Sequence, residues 1–330
     1  MKKFSAILII IVSLTLNSCG IFRITVSNVE NTLFNSPQKV VNKVKNPVQD
    51  GVKLSALWIG HSSMLVQIYD KVILLDPFLT NTMGGIFTRR KEAGLDLKDL
   101  SKLDLVLVSH THMDHLSFAS LDMIADKFPG RPLVFPKGGE YYMPDFDLNL
   151  IRLDNTKSQS GQFAGTAIYV DSVRITPVYA HHSGGRYAFD TYSWRTEGAT
   201  GYIIEYKDVC VYFAGDTGYQ NEAFKKIGNT FKIDLALIPI GPCRNCDSTG
   251  FWHHTSSVEA LWTFEDLKAS YMIPMHYGAI EYVRDAYYPS KALERMLNDK
   301  DEFKALKDRV KILKEGEQII WRKTENGISP

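Results

Sequence analysis

Three histidines and one aspartate lie within the eight-residue segment SHTHMDHL at residues 109–116. This segment directly follows LDLVLV, an apolar and β-branched run that predicts a buried strand. If the strand continues, His110 and His112 point their imidazoles the same way. The next turn then carries Asp114 and His115 to a second position. Neutral imidazoles and carboxylates are ligands that suit zinc, iron or manganese, so the spacing predicts a metal site at the end of this strand.

Three further sites place histidine or aspartate after apolar strand patterns: AHH after SVRITPVY, GDTGY after VCVYFA, and MHYGA after ASYMIP. Polar groups at the ends of buried strands can converge on one rim of a sheet. Two metals about 3.5–4 Å apart need about three ligands each and a bridging carboxylate. The predicted ligands are His110, His112 and His181 for the first metal, Asp114, His115 and His276 for the second, and Asp216 as the bridge. His182 is the alternative to His181.

The predicted two-metal site indicates hydrolytic chemistry. A water held between two such cations would lose a proton near neutral pH and attack a phosphoryl or carbonyl group. Asp114 could orient this nucleophile as well as bind the second metal. His61 and Asp76 could orient ligand histidines, or they could be ordinary polar residues at strand ends.

Short strands and helices are predicted in both halves of the chain, which indicates two sheets covered outside by helices. The strand patterns are KLSALWIG, SMLVQIYD, KVILLDP, SVRITPVYA, TGYIIEYKD, VCVYFAGD and IDLALIPIG. The helical patterns are SFASLDMIADKF, QNEAFKKIG, SSVEALWTFEDLKA and the segment around SKALERMLNDKDEF. No linker divides this region, so we predict one domain over residues 51–330.

The N-terminus differs from the rest of the chain. MKK precedes 13 mostly apolar residues, FSAILIIIVSLTL, which fit an export signal better than a membrane span or a buried first element. The following LNSC resembles the lipobox of bacterial lipoproteins, in which the chain is cut before the cysteine and Cys19 is lipidated. We therefore predict a signal peptide at 1–18 and a lipidated tether and arm at 19–50. Gly20 favours sorting to the outer membrane of a Gram-negative cell envelope.

Composition argues against a disordered chain and against nucleic-acid binding. The chain is 45% hydrophobic and 23% charged, as in globular proteins, and its net charge of +1 leaves no basic surplus for nucleic acid.

The remaining cysteines have two settings. Cys210 lies in an apolar run and is expected to be a core thiol. Cys243 and Cys246 form a CxxC pair that could be a disulfide, two free thiols or part of a metal site with a nearby histidine.

The order of the motifs resembles that of the metallo-β-lactamase fold, over roughly residues 54–322. The motifs are WIGHSSMLVQI, LLDPFL, SHTHMDHL, the His181 segment, YFAGDTGY, the His254 segment and IPMHYGAI. Within this family they look like the branch that contains N-acylphosphatidylethanolamine-hydrolysing phospholipase D. The resemblance implies an αββα sandwich of two mixed sheets flanked by helices, with two metals, usually zinc, at one edge. Its metal ligands match the seven residues predicted above.

The resemblance also implies a catalytic role for His254. In FWHHTSSVEA the family's substrate-side histidine precedes the Glu-Ala pair by five residues, which selects His254 over His253. This side chain would stabilise developing charge or assist the leaving group; a capping or packing role is the other interpretation. The aromatic segment 186–198, RYAFDTYSWRTEG, could form a lid or substrate wall, or it could be a partly buried connection.

We therefore expect a membrane-anchored hydrolase with two Zn²⁺ ions, or with Mn or Fe in their place. The implied substrate is a small-molecule or lipid phosphodiester of the N-acylphosphatidylethanolamine kind, cleaved by a reaction of phospholipase D type. The alternatives are a lactonase-type metal hydrolase of the same superfamily and a metal-binding lipoprotein without catalytic activity.

Overall fold

Two mixed sheets form the centre of the fold. The computed structural model describes residues 28, 31–85, 87–186, 190, 198–249, 253–281, 285–324 and 327–329. The strands are, in chain order, β1 (Leu54–Gly60), β2 (Ser63–Ile68), β3 (Lys71–Leu75), β4 (Thr82–Met83), β5 (Phe87–Thr88), β6 (Leu105–Leu107), β7 (Pro132–Pro136), β8 (Asn149–Leu153), β9 (Ile168–Val170), β10 (Val173–Val178), β11 (Gly201–Tyr206), β12 (Val209–Phe213), β13 (Leu235–Pro239), β14 (Tyr271–Met275), β15 (Gln318–Thr324) and β16 (Gly327–Ser329).

Each sheet has an antiparallel part and a parallel part. The strand order is β16-β15-β1-β2-β3-β6-β7-β8 in the first sheet and β14-β13-β12-β11-β10-β9 in the second, while β4 and β5 form a separate hairpin. The strands from β3 through β8 in the first sheet and from β12 through β14 in the second pair in parallel. The prediction of two mixed sheets is therefore confirmed.

The sheets pack face to face because the strand faces that meet are apolar. In β1, Leu54, Ala56 and Trp58 join the large core cluster that also contains inward residues of the second sheet. The alternate residues Leu57 and Ile59 join a second cluster on the outer face of the first sheet. This two-residue alternation with both faces buried is expected for a strand between two layers.

Helices cover the outer faces. They are α1 (Phe118–Lys127), α2 (Asn221–Thr230), α3 (Ser257–Asp266) and α4 (Tyr288–Asp299), with short 3₁₀ turns at Leu97–Asp99, Gly139–Tyr141 and Lys304–Leu306 and a helical turn at Ser158–Gln162. Leu121 of α1 packs into the outer cluster of the first sheet. Phe224, Leu261 and Leu293 of the other helices pack into the large core cluster. The αββα prediction is confirmed.

The parallel strands bring the predicted site residues to one edge. Asp76 directly follows β3, and His110 lies three residues after the end of β6. Asp216 follows β12 and His276 directly follows β14. Because parallel strands end on the same side of a sheet, these polar groups meet at the shared edge of the two sheets.

The described part of the N-terminal arm lies against the domain. Gln38 pairs with Lys91 through the backbone, and Lys43 Nζ lies 2.7 Å from Asp96 Oδ1. The signal peptide and Cys19 lie outside the described residues, and the division at residue 50 stays a prediction. Within the described ranges, no helix is both long and apolar enough to cross a membrane.

Candidate metal centre

Three imidazole nitrogens converge beyond the end of β6. His110 Nε2 lies 2.9 Å from His112 Nδ1, and this atom lies 3.2 Å from His182 Nε2. The three atoms are close enough together for one cation to bind all of them. His110, His112 and His182 therefore form the first candidate metal position.

The outer ring nitrogens of two of these histidines are already paired. His110 Nδ1 lies 2.9 Å from Ser109 Oγ, whose own proton is donated to Asp76 Oδ2 at 2.6 Å. Ser109 Oγ must then accept from His110 Nδ1, which leaves a lone pair on Nε2. His182 Nδ1 donates to the His253 carbonyl at 2.9 Å, with the same result. Two lone pairs thus point at one position, an arrangement that a bound cation stabilises.

The structure differs from the prediction at one ligand, because it brings His182 and not His181 into this group. The backbone of His181 pairs with Gly218, whose N–H donates to the His181 carbonyl at 3.0 Å. The His181 ring lies with Nδ1 3.0 Å from Tyr179 Oη and stacks on the ring of His253. Adjacent residues of an extended segment point to opposite faces, so only one of the two histidines can face the site.

A second group forms around Asp114, His115 and His276. Asp114 Oδ2 lies 3.6 Å from His276 Nε2 and 3.7 Å from His115 Nε2. His115 Nδ1 pairs with Asp76 Oδ2 at 2.5 Å, and His276 Nδ1 donates to the Gly241 carbonyl at 2.9 Å. Both rings therefore point Nε2 at the centre of the group, as in the first position.

Asp216 lies between the two groups. Its Oδ2 is 3.0 Å from His276 Nε2 and 3.3 Å from His115 Nε2, and 3.9 Å from Nε2 of both His110 and His182. Its Oδ1 is buried and has no hydrogen-bond partner among the described residues. A buried carboxylate with an unused oxygen and imidazoles on both sides fits the bridging role predicted for it.

The charges in the second group balance one another. Burial alone would raise the pKa of Asp216, but His115 and then His276 outweigh burial and hold that pKa well below its ordinary value. Burial likewise lowers the pKa of His276, but Asp216 and then Asp114 outweigh it and raise that pKa to about 9. In the metal-free protein, protons on the histidines thus supply the positive charge that balances the carboxylates. Bound cations would take over this role. The donor set fits divalent metal ions.

His61 and Asp76 both contact metal-ligand residues. Of the two roles considered for them from the sequence, these contacts favour the orientation of ligands. His61 Nε2 lies 2.9 Å from Asp114 Oδ2, and the His61 carbonyl accepts from the His276 N–H at 2.9 Å. Asp76 accepts from the N–H and the hydroxyl of Ser109 in addition to its contact with His115. One carboxylate therefore orients ligands of both metal positions.

His254 lies over the same edge. Its Nδ1 is 3.5 Å from Asp216 Oδ2, and its ring stacks on that of His276 with 5.2 Å between centroids. The His254 side chain is a quarter exposed, whereas Asp216 and His276 next to it are buried. Burial lowers the pKa of His254 to about 3 despite the nearby Asp216, so the ring is neutral at pH 7. The ring of His253 instead stacks on that of His181, and its centroid lies 5.9 Å from that of the His182 ring.

The segment 186–198 begins with a residue that supports the metal-binding loop. Arg186 is buried and donates Nη1 to the Leu116 carbonyl at 2.8 Å. Its guanidinium lies 3.7 Å from the centre of the Phe118 ring. Most of the remaining segment, including Trp194, lies outside the described residues, so a lid or substrate wall there stays a prediction.

Sequence reasoning missed the backbone carbonyls of Gly241 and His253, each of which orients a ligand histidine. Both lie on the loop between β13 and α3. No pattern of residue types could have revealed them, because a carbonyl is present at every position. The same loop contains Cys243 and Cys246, which are joined in a disulfide, one of the three predicted alternatives.

The chain matches proteins of known family over most of the described domain. A family model described as "Beta-lactamase superfamily domain" matches residues 71–277. A "UPF0173 metal-dependent hydrolase" of Pyrococcus horikoshii is 31% identical over 269 residues, covering 79% of this chain and 97% of that protein. The "N-acyl-phosphatidylethanolamine-hydrolyzing phospholipase D 1" of Caenorhabditis elegans is 28% identical over 272 residues, covering 79% and 72%.

Solved structures show the same fold. Igni18, described as a novel metallo hydrolase from Ignicoccus hospitalis, superposes with a TM-score of 0.60 at 22% identity, covering 82% of this chain and 99% of that one. The fold, the His/Asp groups and the family match agree with one another. The chain therefore belongs to the metallo-β-lactamase superfamily, as a metal-dependent hydrolase.

Proposed function

We propose that this protein is a binuclear phosphodiesterase of phospholipase D type, acting on N-acylphosphatidylethanolamine-like or related phosphodiesters. The position of Asp216 between two groups of three ligands carries the binuclear part of this proposal. Two metals that share a carboxylate suit phosphodiester cleavage, because both the attacking and the leaving oxygen need stabilisation.

Some residues of the site would bind the metals, and others would orient the reacting groups. His110, His112 and His182 would hold one cation, and Asp114, His115 and His276 the other, with Asp216 between them. When bound, the cations supply Lewis acidity and lower the pKa of water to near neutrality. Asp114 is the ligand best placed to orient the attacking water, because its Oδ2 also contacts His61.

His254 is the candidate for the leaving-group side. It lies 3.5 Å from Asp216 and is partly exposed, so its ring can reach a substrate that approaches the centre. A neutral imidazole can donate one hydrogen bond and accept another, which suits it to stabilise the departing oxygen. Histidines so placed contribute about 10²–10⁴-fold to rate.

The apolar surroundings of the second metal position support a lipid-like substrate. Met113 lies between the ligands His112 and Asp114 in the sequence and packs against an apolar cluster of Phe78, Met83, Phe87, Ala279 and Ile280. Met113 is the partly buried member of this group, so it places an apolar side chain beside the charged centre, which suits a substrate with an acyl part and a phosphate part. The name of the Caenorhabditis elegans relative specifies such a substrate for that protein.

Zinc is the proposed metal because imidazole nitrogen dominates both ligand groups, with Mn or Fe as alternatives. We further propose that lipidated Cys19 anchors the protein to the cell envelope, on the outer membrane. Replacing Cys19 by Ser should then abolish incorporation of labelled fatty acid into the protein. Undiminished labelling would contradict the lipid anchor.

The test is metal content together with a substrate panel, using the chain from residue 20 onward. We expect about two zinc ions per chain and hydrolysis of a bis-aryl phosphodiester. Asp216→Ala should reduce this hydrolysis at least about 1,000-fold while the circular dichroism spectrum is unchanged. Faster turnover of a lactone panel would favour the lactonase alternative, and metal binding without any turnover would favour the non-catalytic alternative.

A further inference from the structure

One loop orients ligands of both metal positions. The Gly241 carbonyl accepts from Nδ1 of His276, in the second group, and the His253 carbonyl accepts from Nδ1 of His182, in the first. The loop 241–256 connects β13 to α3, so its two ends are fixed to rigid elements. A displacement of this loop would disturb a histidine at each metal position.

The disulfide lies within this loop. Cys243, which lies two residues after Gly241, is joined to Cys246. Both side chains are almost fully buried, at 3% and 0% exposed. They pack against Ala292 of α4. The Cys246 carbonyl accepts from the Val258 N–H at 3.0 Å, in the first turn of α3. The two cysteine side chains are thus buried against α4, and the backbone of Cys246 is bonded to the first turn of α3.

We propose that the Cys243–Cys246 disulfide is a positioning element of the metal centre, so that its loss weakens metal retention at both positions. This inference rests on the proposed binuclear centre. In the reduced state the two sulfurs must move from bonding distance to van der Waals contact. Because both are buried against α4, that separation displaces the loop and, with it, the carbonyls that hold His276 and His182.

The expected effect is a loss of affinity, since a partner that orients a ligand histidine typically contributes about 10–100-fold to metal affinity. The proposed element acts at two ligands, one for each metal. Both zinc ions should therefore bind more weakly, whereas an effect restricted to one position would indicate a purely local change.

The experiment compares zinc affinity in the full oxidised chain and in the variant Cys243→Ala/Cys246→Ala, by competition with a chromophoric chelator. Alanine keeps the buried surface apolar. Cys210→Ala is the matched control, because Cys210 is also a buried cysteine but lies on β12 at the end opposite the site, beside Asp234. We expect zinc affinity about 10–100-fold weaker in the double variant and unchanged in the control.

A second measurement uses the natural sequence in case the double variant does not fold. A phosphine reductant cleaves the S–S bond, takes oxygen from water to become its oxide, and leaves two thiols, which alkylation and mass spectrometry can count. Hydrogen exchange at the Val258 N–H, which donates to Cys246, should accelerate on reduction. The Ala260 N–H, which donates to Ser256 within the same helix, is the control and should change less.

The outcomes separate the two proposals. Zinc affinity equal to that of the oxidised chain, in a folded double variant or in the reduced chain, overturns the positioning role and leaves the binuclear centre intact. An oxidised chain that binds no zinc overturns both. Weaker zinc binding with unchanged Val258 exchange overturns the loop as the route of the effect.

Discussion

At the scale of single residues, the site depends on which nitrogen of each histidine faces inward. Four ligand histidines have Nδ1 paired outside the site: His110 with Ser109, His115 with Asp76, His182 with the His253 carbonyl and His276 with the Gly241 carbonyl. A fixed Nδ1 proton leaves the Nε2 lone pair for a metal and prevents the ring from flipping. The outer partners therefore determine the ligand geometry as much as the histidines do.

The choice between neighbouring histidines is testable with a matched pair of variants. His182→Ala removes a nitrogen that lies 3.2 Å from His112 Nδ1, so we expect one of the two zinc ions to bind at least about 100-fold more weakly. His181→Ala removes a ring that contacts Tyr179 and His253, so zinc content should be unchanged. Elemental analysis after dialysis measures both. Zinc loss in the His181 variant alone would restore the original ligand prediction.

His254 should affect turnover without affecting metal content. His254→Ala removes a ring that lies near the bridging carboxylate, while the oriented ligands of both groups remain. We expect kcat for a bis-aryl phosphodiester to fall by about 10²–10⁴-fold, with about two zinc ions retained. Loss of a zinc ion would instead identify His254 as a ligand. Unchanged kcat with full zinc content would show that His254 has only a packing role, through its stacking on His276.

At the scale of secondary structure, the turns after the strands determine how accurately the ligands meet. The strands and the HxHxDH motif could be predicted because apolar runs and close spacing are local properties. The pairing of His181 with Gly218 could not, since it joins two loops that are distant in the chain. The choice of His182 followed from that pairing, and so did the role of the His253 carbonyl.

The turn before Asp216 requires glycine. Gly215 has φ +59°, and an added Cβ would lie 2.5 Å from Cβ of Ser109, the residue that holds His110. Gly215→Ala must therefore move either Asp216 or Ser109. We expect weaker binding of both zinc ions, measured by chelator competition, together with a lower melting temperature.

Gly130 offers the matched control for this variant. It also has a positive φ, +66°, but an added Cβ would meet nothing within 4 Å. Gly130→Ala should therefore cost only the backbone strain, about 1–2 kcal/mol, with zinc affinity unchanged. If the two variants retain zinc equally, the close approach to Ser109 does not position the site.

At the scale of the whole molecule, the fold places buried charge where its two sheets meet. The chain has a net charge of only +1, yet Asp76, Asp114 and Asp216 lie together with seven histidines at one edge. Outside this edge the buried residues of the strands are mostly apolar. Such a concentration of buried polar groups costs stability unless bound cations or protons balance it.

Metal binding should therefore release protons. Carboxylates, outweighing the effect of burial, raise the pKa of His276 to about 9 and that of His115 well above its ordinary value, so both rings are protonated at pH 7 without metal. A metal needs their lone pairs, so zinc binding at pH 7 should release at least about two protons, because any bound water that ionises adds to the two from these rings. Isothermal titration in buffers of different ionisation enthalpy measures this number.

The raised pKa of His276 also determines how the stability of the metal-free protein changes with pH. Because the pKa of His276 is raised from its ordinary 6.5, its charged form stabilises the metal-free chain below pH 6.5, and this contribution is lost as pH rises through about 9. Metal-free protein should therefore melt at lower temperature at pH 9 than at pH 6.5, while zinc-loaded protein should not show this loss.

The number of protons released on zinc binding should decrease above pH 9, and the His276→Ala variant should release about one proton fewer at pH 7. Zinc binding at pH 7 with no proton release would contradict the protonated pair, because both rings would then already be neutral.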